Sequence, residues 1–171
     1  MNSLKRLYNW TLDKANHKNA KWYLSLISFA ESSFFPIPPD LLLIPMALAS
    51  KTKAIFYAFI CTFSSVLGGI LGYAIGYYFY NTLGIYIVEF YHLENSFSVF
   101  EDYYKEFGIL IVLGAGITPF PYKFITIASG VFGLNIFLFI IISIVGRGLR
   151  FYLIAILLYF FGEKIKLIID K

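Results

Sequence analysis

The chain has 171 residues, enough for one domain, and 59% of them are hydrophobic against 14% charged. With a mean hydropathy of +0.73, that balance excludes an ordinary soluble globule and points to an all-α integral membrane protein. The formal charge of +4 comes without a basic-aromatic groove, which argues against nucleic acid as a partner, and a single cysteine, Cys61, excludes an intrachain disulfide.

Residues 2–21 carry Lys5, Arg6, Lys14, Lys18 and Lys21 against one acid, Asp13. Leu4, Tyr8, Leu12 and Ala15 fall near helical spacing. The stretch reads as a short helix on the cytoplasmic membrane surface or as a solvated basic tail. It lacks the apolar core and cleavage site of a secretory signal peptide.

Residues 22–50 are apolar but broken at Phe34-Phe35-Pro36-Ile37-Pro38-Pro39-Asp40. The flanking runs, Leu24 to Phe35 and Leu41 to Ala49, are each shorter than the ~20 residues that cross a hydrocarbon core. Pro36, Pro38 and Pro39 remove N–H donors and push their predecessors out of the helical region. The expected shape is a re-entrant hairpin. Broken backbone at membrane depth needs a cover of protein or a wet cavity, so the break also predicts a site.

Lys51 and Lys53 form a polar hinge. Ala54 to Tyr80 has no charge and is long enough to span with tilt. Ser64, Gly68, Gly72 and Gly76 recur there every four residues, a spacing that lets another helix approach closely. Whether the ridge also joins copies into a homo-oligomer is open at this level. Residues 81–107 turn acidic, with Glu89, Glu94, Glu101, Asp102 and Glu106 against Lys105. They predict a second surface helix, capped by Asn95 or Ser96.

Residues 108–133 repeat the opening theme. A short run, Ile109 to Ile117, meets Thr118-Pro119-Phe120-Pro121-Tyr122-Lys123, and Phe124 to Phe132 follows. Leu134 to Phe161 is the second long apolar stretch, interrupted by Gly146-Arg147-Gly148-Leu149-Arg150. Pro36-Ile37-Pro38-Pro39-Asp40 and Pro119-Phe120-Pro121-Tyr122-Lys123 align at one offset. The chain therefore reads as pseudo-repeat halves, 1–83 and 84–171, of surface helix, proline-broken hairpin and long transmembrane helix. Paired interrupted segments are a sequence pointer to a transporter site.

Charge decides between topologies. With two re-entrant hairpins, only two helices cross and both termini are cytoplasmic. Lys5, Arg6, Lys14, Lys18, Lys21, Lys51, Lys53, Lys164, Lys166 and Lys171 then lie inside, and Lys105 outside. That obeys the positive-inside bias and makes the repeat an inverted one.

Glu31, Asp40, Lys123, Arg147 and Arg150 fall at membrane depth, where each stray Asp, Lys or Arg costs about 2.5–3.5 kcal/mol. They should share a cavity and pair, and two acids against three bases leave one positive charge for an anionic guest. Asp40 suits a helix start or proton coupling. Glu31 suits proton coupling or an arginine partner. Lys123 opposes a helix dipole, so Asp40, Glu31 or a ligand phosphate should hold it. Arg147 and Arg150 share a helix face and could grip a phosphate, or snorkel to an interface. His17 and His92 fall in surface segments. No metal pair, cofactor motif or nucleophile–base constellation is evident, so an enzyme is not expected.

These features resemble the DedA family, also called SNARE-associated or VTT-domain membrane proteins, from about Trp22 to Gly162, and most closely its short YqaA-like branch. The carrying residues are Glu31, Phe35 to Asp40, Gly72-Tyr73-Ala74-Ile75-Gly76, Thr118 to Lys123, Ser129-Gly130, and Gly146 to Phe151. The resemblance implies a bacterial inner-membrane protein with opposed re-entrant hairpins. It also implies movement of a phosphate-bearing lipid, polyprenyl phosphate or phospholipid, between leaflets, with dependence on proton motive force. The family's hairpin acids correspond to Glu31 and Asp40. The second hairpin departs from the common form. Many members set arginines around its proline, whereas here Gly116 and Ile117 precede and Lys123 follows, with Arg147 and Arg150 as candidate substitutes. The expected function is a lipid flippase or scramblase binding through Lys123, Arg147 and Arg150. The alternatives are a small-ion or solute transporter using the same cavity, and a non-transporting scaffold.

Overall fold

The computed structural model describes residues 19–34, 37–92 and 94–169, with side chains as far as Gly162. The basic N-terminal stretch up to Lys18, Pro36, and the side chains of the C-terminal lysines lie outside the described residues. Every regular element described is helical. In chain order these are α1 (Ala20–Ser33), α2 (Asp40–Ala49), a 3₁₀ turn (Lys51–Lys53), α3 (Ala54–Phe79) and a π turn (Tyr80–Gly84). Then follow α4 (Ile85–Phe90), α5 (Glu94–Ile117), α6 (Tyr122–Val131) and α7 (Ile136–Ile169).

The two proline breaks fall where the sequence places them. Pro39 precedes α2 with φ −66°, so its fixed ring starts the helix, and its carbonyl accepts from Leu43 N at 2.9 Å. Pro121 precedes α6 in an extended conformation, φ −61° and ψ 104°. Pro45, inside α2 and buried, drew no attention in the sequence. It removes the bond that would return to the Leu41 carbonyl.

Two expectations are corrected between the breaks. The long span does not stop at Tyr80. Helix continues through the π turn to Phe90, 40 residues from Lys51. Nothing there breaks it, because the Asn81 amide and Thr82 hydroxyl bond back to the Tyr77 and Tyr78 carbonyls at 2.8 Å rather than capping an end. The predicted surface helix and the short run after it are also one helix, α5, of 24 residues. It begins at Glu94, ahead of the expected caps Asn95 and Ser96, and Gly108 carries it through by packing against Tyr104 and Leu134.

Contacts along the helices give their running directions. On α1 and α3, Ser25 meets Ser64, Phe29 meets Gly68 and Ser32 meets Gly72, so the two run parallel. Gly108 by Leu134 and Gly116 by Gly146 set α5 parallel to α7. Asp40 at Arg150 and Leu48 at Gly162 set α2 parallel to α7. Thr126 at Gly69 and Gly130 at Tyr77 set α6 parallel to α3. Gly69 at Phe139, Ser65 at Arg147 and Thr62 at Gly148 make α3 and α7 antiparallel. Hence α1–α2 and α5–α6 are both hairpins. Each first arm lies along its own half's long helix, and each second arm along the other half's.

The glycine ridge of α3 makes this packing close. A Cβ at Gly68 would stand 2.0 Å from the Phe29 carbonyl oxygen, and one at Gly76 would stand 2.0 Å from that of Ile127. Gly68 thus seats α1, and Gly76 seats α6. The ridge is filled from within the chain.

Polarity is distributed inside out. The interior holds Ser28, Ser32, Thr62, Ser65, Thr126, Ser143 and Arg147. The exterior shows Phe56, Phe59 and Phe63 on α3, and Ile141, Leu149, Leu153 and Phe160 on α7. Contiguous exposed apolar faces of this extent mark an interaction surface. By length and composition, Lys51–Phe90 and Ile136–Gly162 are apolar enough to cross a membrane. Two apolar clusters form the core. One gathers Leu24, Leu43, Met46, Ala58 and Phe151, the other Val112, Tyr122, Phe139 and Ile142. On α7, Arg147 lies between them.

Candidate functional site

The two hairpin tips meet at one cavity of about 350 Å³. Pro38 and Pro39 line it from the first tip, and Pro119, Phe120 and Pro121 from the second. Glu31, Lys123, Arg147 and Arg150 line it as well. Asp40 stands behind Arg150, so all five ionisable residues expected at depth gather at one place.

Glu31 and Arg147 are a buried pair. The Arg147 side chain is 1% exposed and that of Glu31 10%. Arg147 Nη2 donates to Glu31 Oε2, and Arg147 Nε donates to Ser65 Oγ at 2.5 Å. Ser32 Oγ lies 3.2 Å from Glu31 Oε2 and 2.5 Å from Ser65 Oγ. The guanidinium is held between two rings, 4.9 Å from the centroid of Tyr122 and 4.8 Å from that of Phe151. Tyr122 is fixed in turn by a 2.6 Å hydrogen bond between its hydroxyl and Ser143 Oγ. Removing one member of so buried a pair would strand the other charge.

Arg150 joins the tips. Its Nη2 donates to Asp40 Oδ2, at the start of α2, and its Nη1 to the Thr118 carbonyl, just past the end of α5. A cation at that helix end also meets the negative end of its dipole. Asp40 Oδ1 is buried with no hydrogen-bond partner among the described residues. A third link comes from Thr126 of α6, whose hydroxyl lies 2.9 Å from the carbonyl oxygen of Ser32, in the last turn of α1.

Lys123 is left over. Its Nζ sits 5.4 Å from the Phe124 ring centroid, and no acid among the described residues pairs with it. Of the partners expected for it, Glu31 is taken by Arg147 and Asp40 by Arg150. Two carboxylates against three cations leave one positive charge, and it stands on the cavity wall. Both α2 and α6 also begin there, each with the positive end of its dipole toward the opening. Asp40 offsets the first, whereas Lys123 adds to the second. Arg147 and Arg150 both reach the wall but already hold carboxylates. They lie between helices rather than snorkelling outward.

Sequence reasoning missed the residues that hold the charges: Ser32, Tyr122, Ser143, Phe151 and the Thr118 carbonyl. Ser25, Ser28 and Ser32 recur at helical spacing on α1, and that polar stripe on an apolar helix was the available signal.

Together the fold and site define a helical protein with two proline-broken hairpins closing on an ionic layer, and two helices apolar enough to cross a membrane. No family model and no solved structure matches the chain. An uncharacterized protein of Haemophilus influenzae is 39% identical over 158 residues, covering 92% of this chain and 82% of its own length. One from Histophilus somni is 38% identical over 161 residues, with 92% and 82% covered. The chain belongs to the family of these two proteins.

Proposed function

We propose that the protein is a DedA-type integral membrane protein that moves a phosphate-bearing lipid between leaflets. In this reading α1–α2 and α5–α6 are re-entrant hairpins dipping in from opposite faces, an inverted repeat around the two crossing helices. The running directions of the helices and the exterior of Phe, Leu and Ile support it. Lys51 and Lys53 mark the cytoplasmic side together with both termini, in line with the positive-inside bias.

The observation that carries the functional reading is the cavity itself. Two broken helices aim their N-terminal ends into it, and Lys123 on its wall has no counter-charge among the described residues. Transporter sites built at broken helices use such ends for anionic groups. The lipid phosphate sits at Lys123 and the α6 terminus, while Glu31–Arg147 and Asp40–Arg150 hold the tips around it. Proton coupling falls to Asp40 or Glu31, the two acids paired with Arg150 and Arg147.

The test is reconstitution into phosphatidylcholine vesicles with a trace of phosphatidic acid labelled on one acyl chain. The label should reach the opposite leaflet faster than in protein-free vesicles. Lys123→Gln should slow it about tenfold, the equivalent of about 1.4 kcal/mol of lost charge pairing. A rate equal to the protein-free control removes the lipid reading. Uptake of inorganic phosphate without lipid movement replaces it with a small-anion transporter.

A further inference from the structure

A second cavity, of about 290 Å³, adjoins the charged one. Ile117, Leu153 and Ile154 wall it, and it shares Pro119 and Arg150 with its neighbour. Ile117 is 39% exposed and Leu153 52%, so this void opens sideways, between the end of α5 and the middle of α7. Glu31, Lys123 and Arg147 line only the first cavity. Polarity therefore falls from one void to the next, from Lys123 to an aliphatic wall, with Pro119 and Arg150 shared between them. The Arg150 stem can face the apolar side while its guanidinium stays with Asp40 and Thr118.

A small anion needs only the first cavity. Two adjoining voids, one with a cation on its wall and one apolar, match an amphiphile. Resting on the reading of the first cavity as a headgroup site, we infer that Ile117, Leu153 and Ile154 form a lateral portal. It holds the first part of a hydrocarbon chain whose anionic head lies at Lys123. The chain leaves the protein between α5 and α7, so lipid exchanges with the site there, at the level of Arg150.

Leu153→Trp places a fluorophore on the portal without touching the charged cavity. Leu138→Trp places one elsewhere on α7, at an exposed position that lines neither void. Each is reconstituted in phosphatidylcholine vesicles with brominated acyl chains on either a phosphatidic acid or a phosphatidylcholine fraction, and the signal of the unsubstituted protein is subtracted. At position 153, brominated phosphatidic acid should be favoured over brominated phosphatidylcholine about fivefold, close to 1 kcal/mol. At position 138 the two should quench alike, and Lys123→Gln should abolish the preference at 153. Equal quenching at 153, or a preference that survives Lys123→Gln, overturns the portal. Leaflet exchange measured on the same vesicles keeps the two ideas apart. Preference without movement upholds the portal and removes transport, and movement without preference does the reverse.

Discussion

The two hairpins are seated alike on α3 but differ in what is added at the tip. Close approach serves both: Gly68 admits α1 and Gly76 admits α6, each with hydroxyl bonds beside it. Charge is added to the first, where Glu31 and Asp40 reach Arg147 and Arg150 on α7, whereas the second meets Arg150 only through the Thr118 carbonyl. At the offset that aligns Pro36 with Pro119, Glu31 corresponds to Gly114, and Asp40 to Lys123. Arg147 and Arg150 correspond to Ser64 and Leu67. The ionic layer therefore has no mirror image. One tip consumes its acids, and the other presents a cation that no acid among the described residues meets. The proposed anion site rests on that imbalance, which a symmetric pair of salt-bridged tips would have cancelled.

The difference can be broken at its strongest point first. Arg147→Met strands Glu31 beneath 10% exposure, and should cost about 3–5 kcal/mol of stability, read by thermal unfolding in detergent. Adding Glu31→Gln should restore most of that. A single variant as stable as the parent would mean that charge does not hold the first tip. On the second tip, Gly76→Ala forces a methyl to within 2.0 Å of a carbonyl oxygen, and overpacking of this kind costs about 1–3 kcal/mol. Tolerance there, seen as an unchanged unfolding midpoint, would deny that close approach is what seats α6. Asp40→Asn should matter less, by about 1.5 kcal/mol, since the Asp40 side chain is 19% exposed and keeps a neutral acceptor for Arg150. The smallest effect is stabilising. A Cβ at Gly114 meets nothing within 4 Å, so Gly114→Ala should add about 0.5–1 kcal/mol through helix propensity alone. A loss there would show that the position matching Glu31 has a use of its own.

The breaks were legible because proline acts locally. Pro38–Pro39 and Pro119–Pro121 each remove donors within one turn and break the helix there, so the arms follow from the sequence, whereas the lone Pro45 is absorbed inside α2. That five charges should meet was legible from the cost of leaving them in oil. An arginine for Glu31 was legible too, but not which one, nor that Asp40 takes the other. Glu31 finds Arg147 across 116 positions and Asp40 finds Arg150 across 110, and spacing carries no information at that range. The reach of the rod past Tyr80 was missed because the chain from residue 81 was read with the acidic stretch that follows it. Only the bonds of Asn81 and Thr82 back to Tyr77 and Tyr78 show them serving the interior of a helix. The portal was beyond sequence altogether, since Ile117 and Leu153 become neighbours only when α5 lies along α7.

The crossed lodging of the second arms bears on how such a chain could have begun. Cut near residue 83, the latter piece would own α6 but not the α3 against which that arm rests. On the proposed inverted-repeat reading, an ancestor of half the length would be whole only in company with a twin turned upside down. Fusion of the two would then have freed each copy to diverge, which is how acids could gather in one and a lone ammonium in the other.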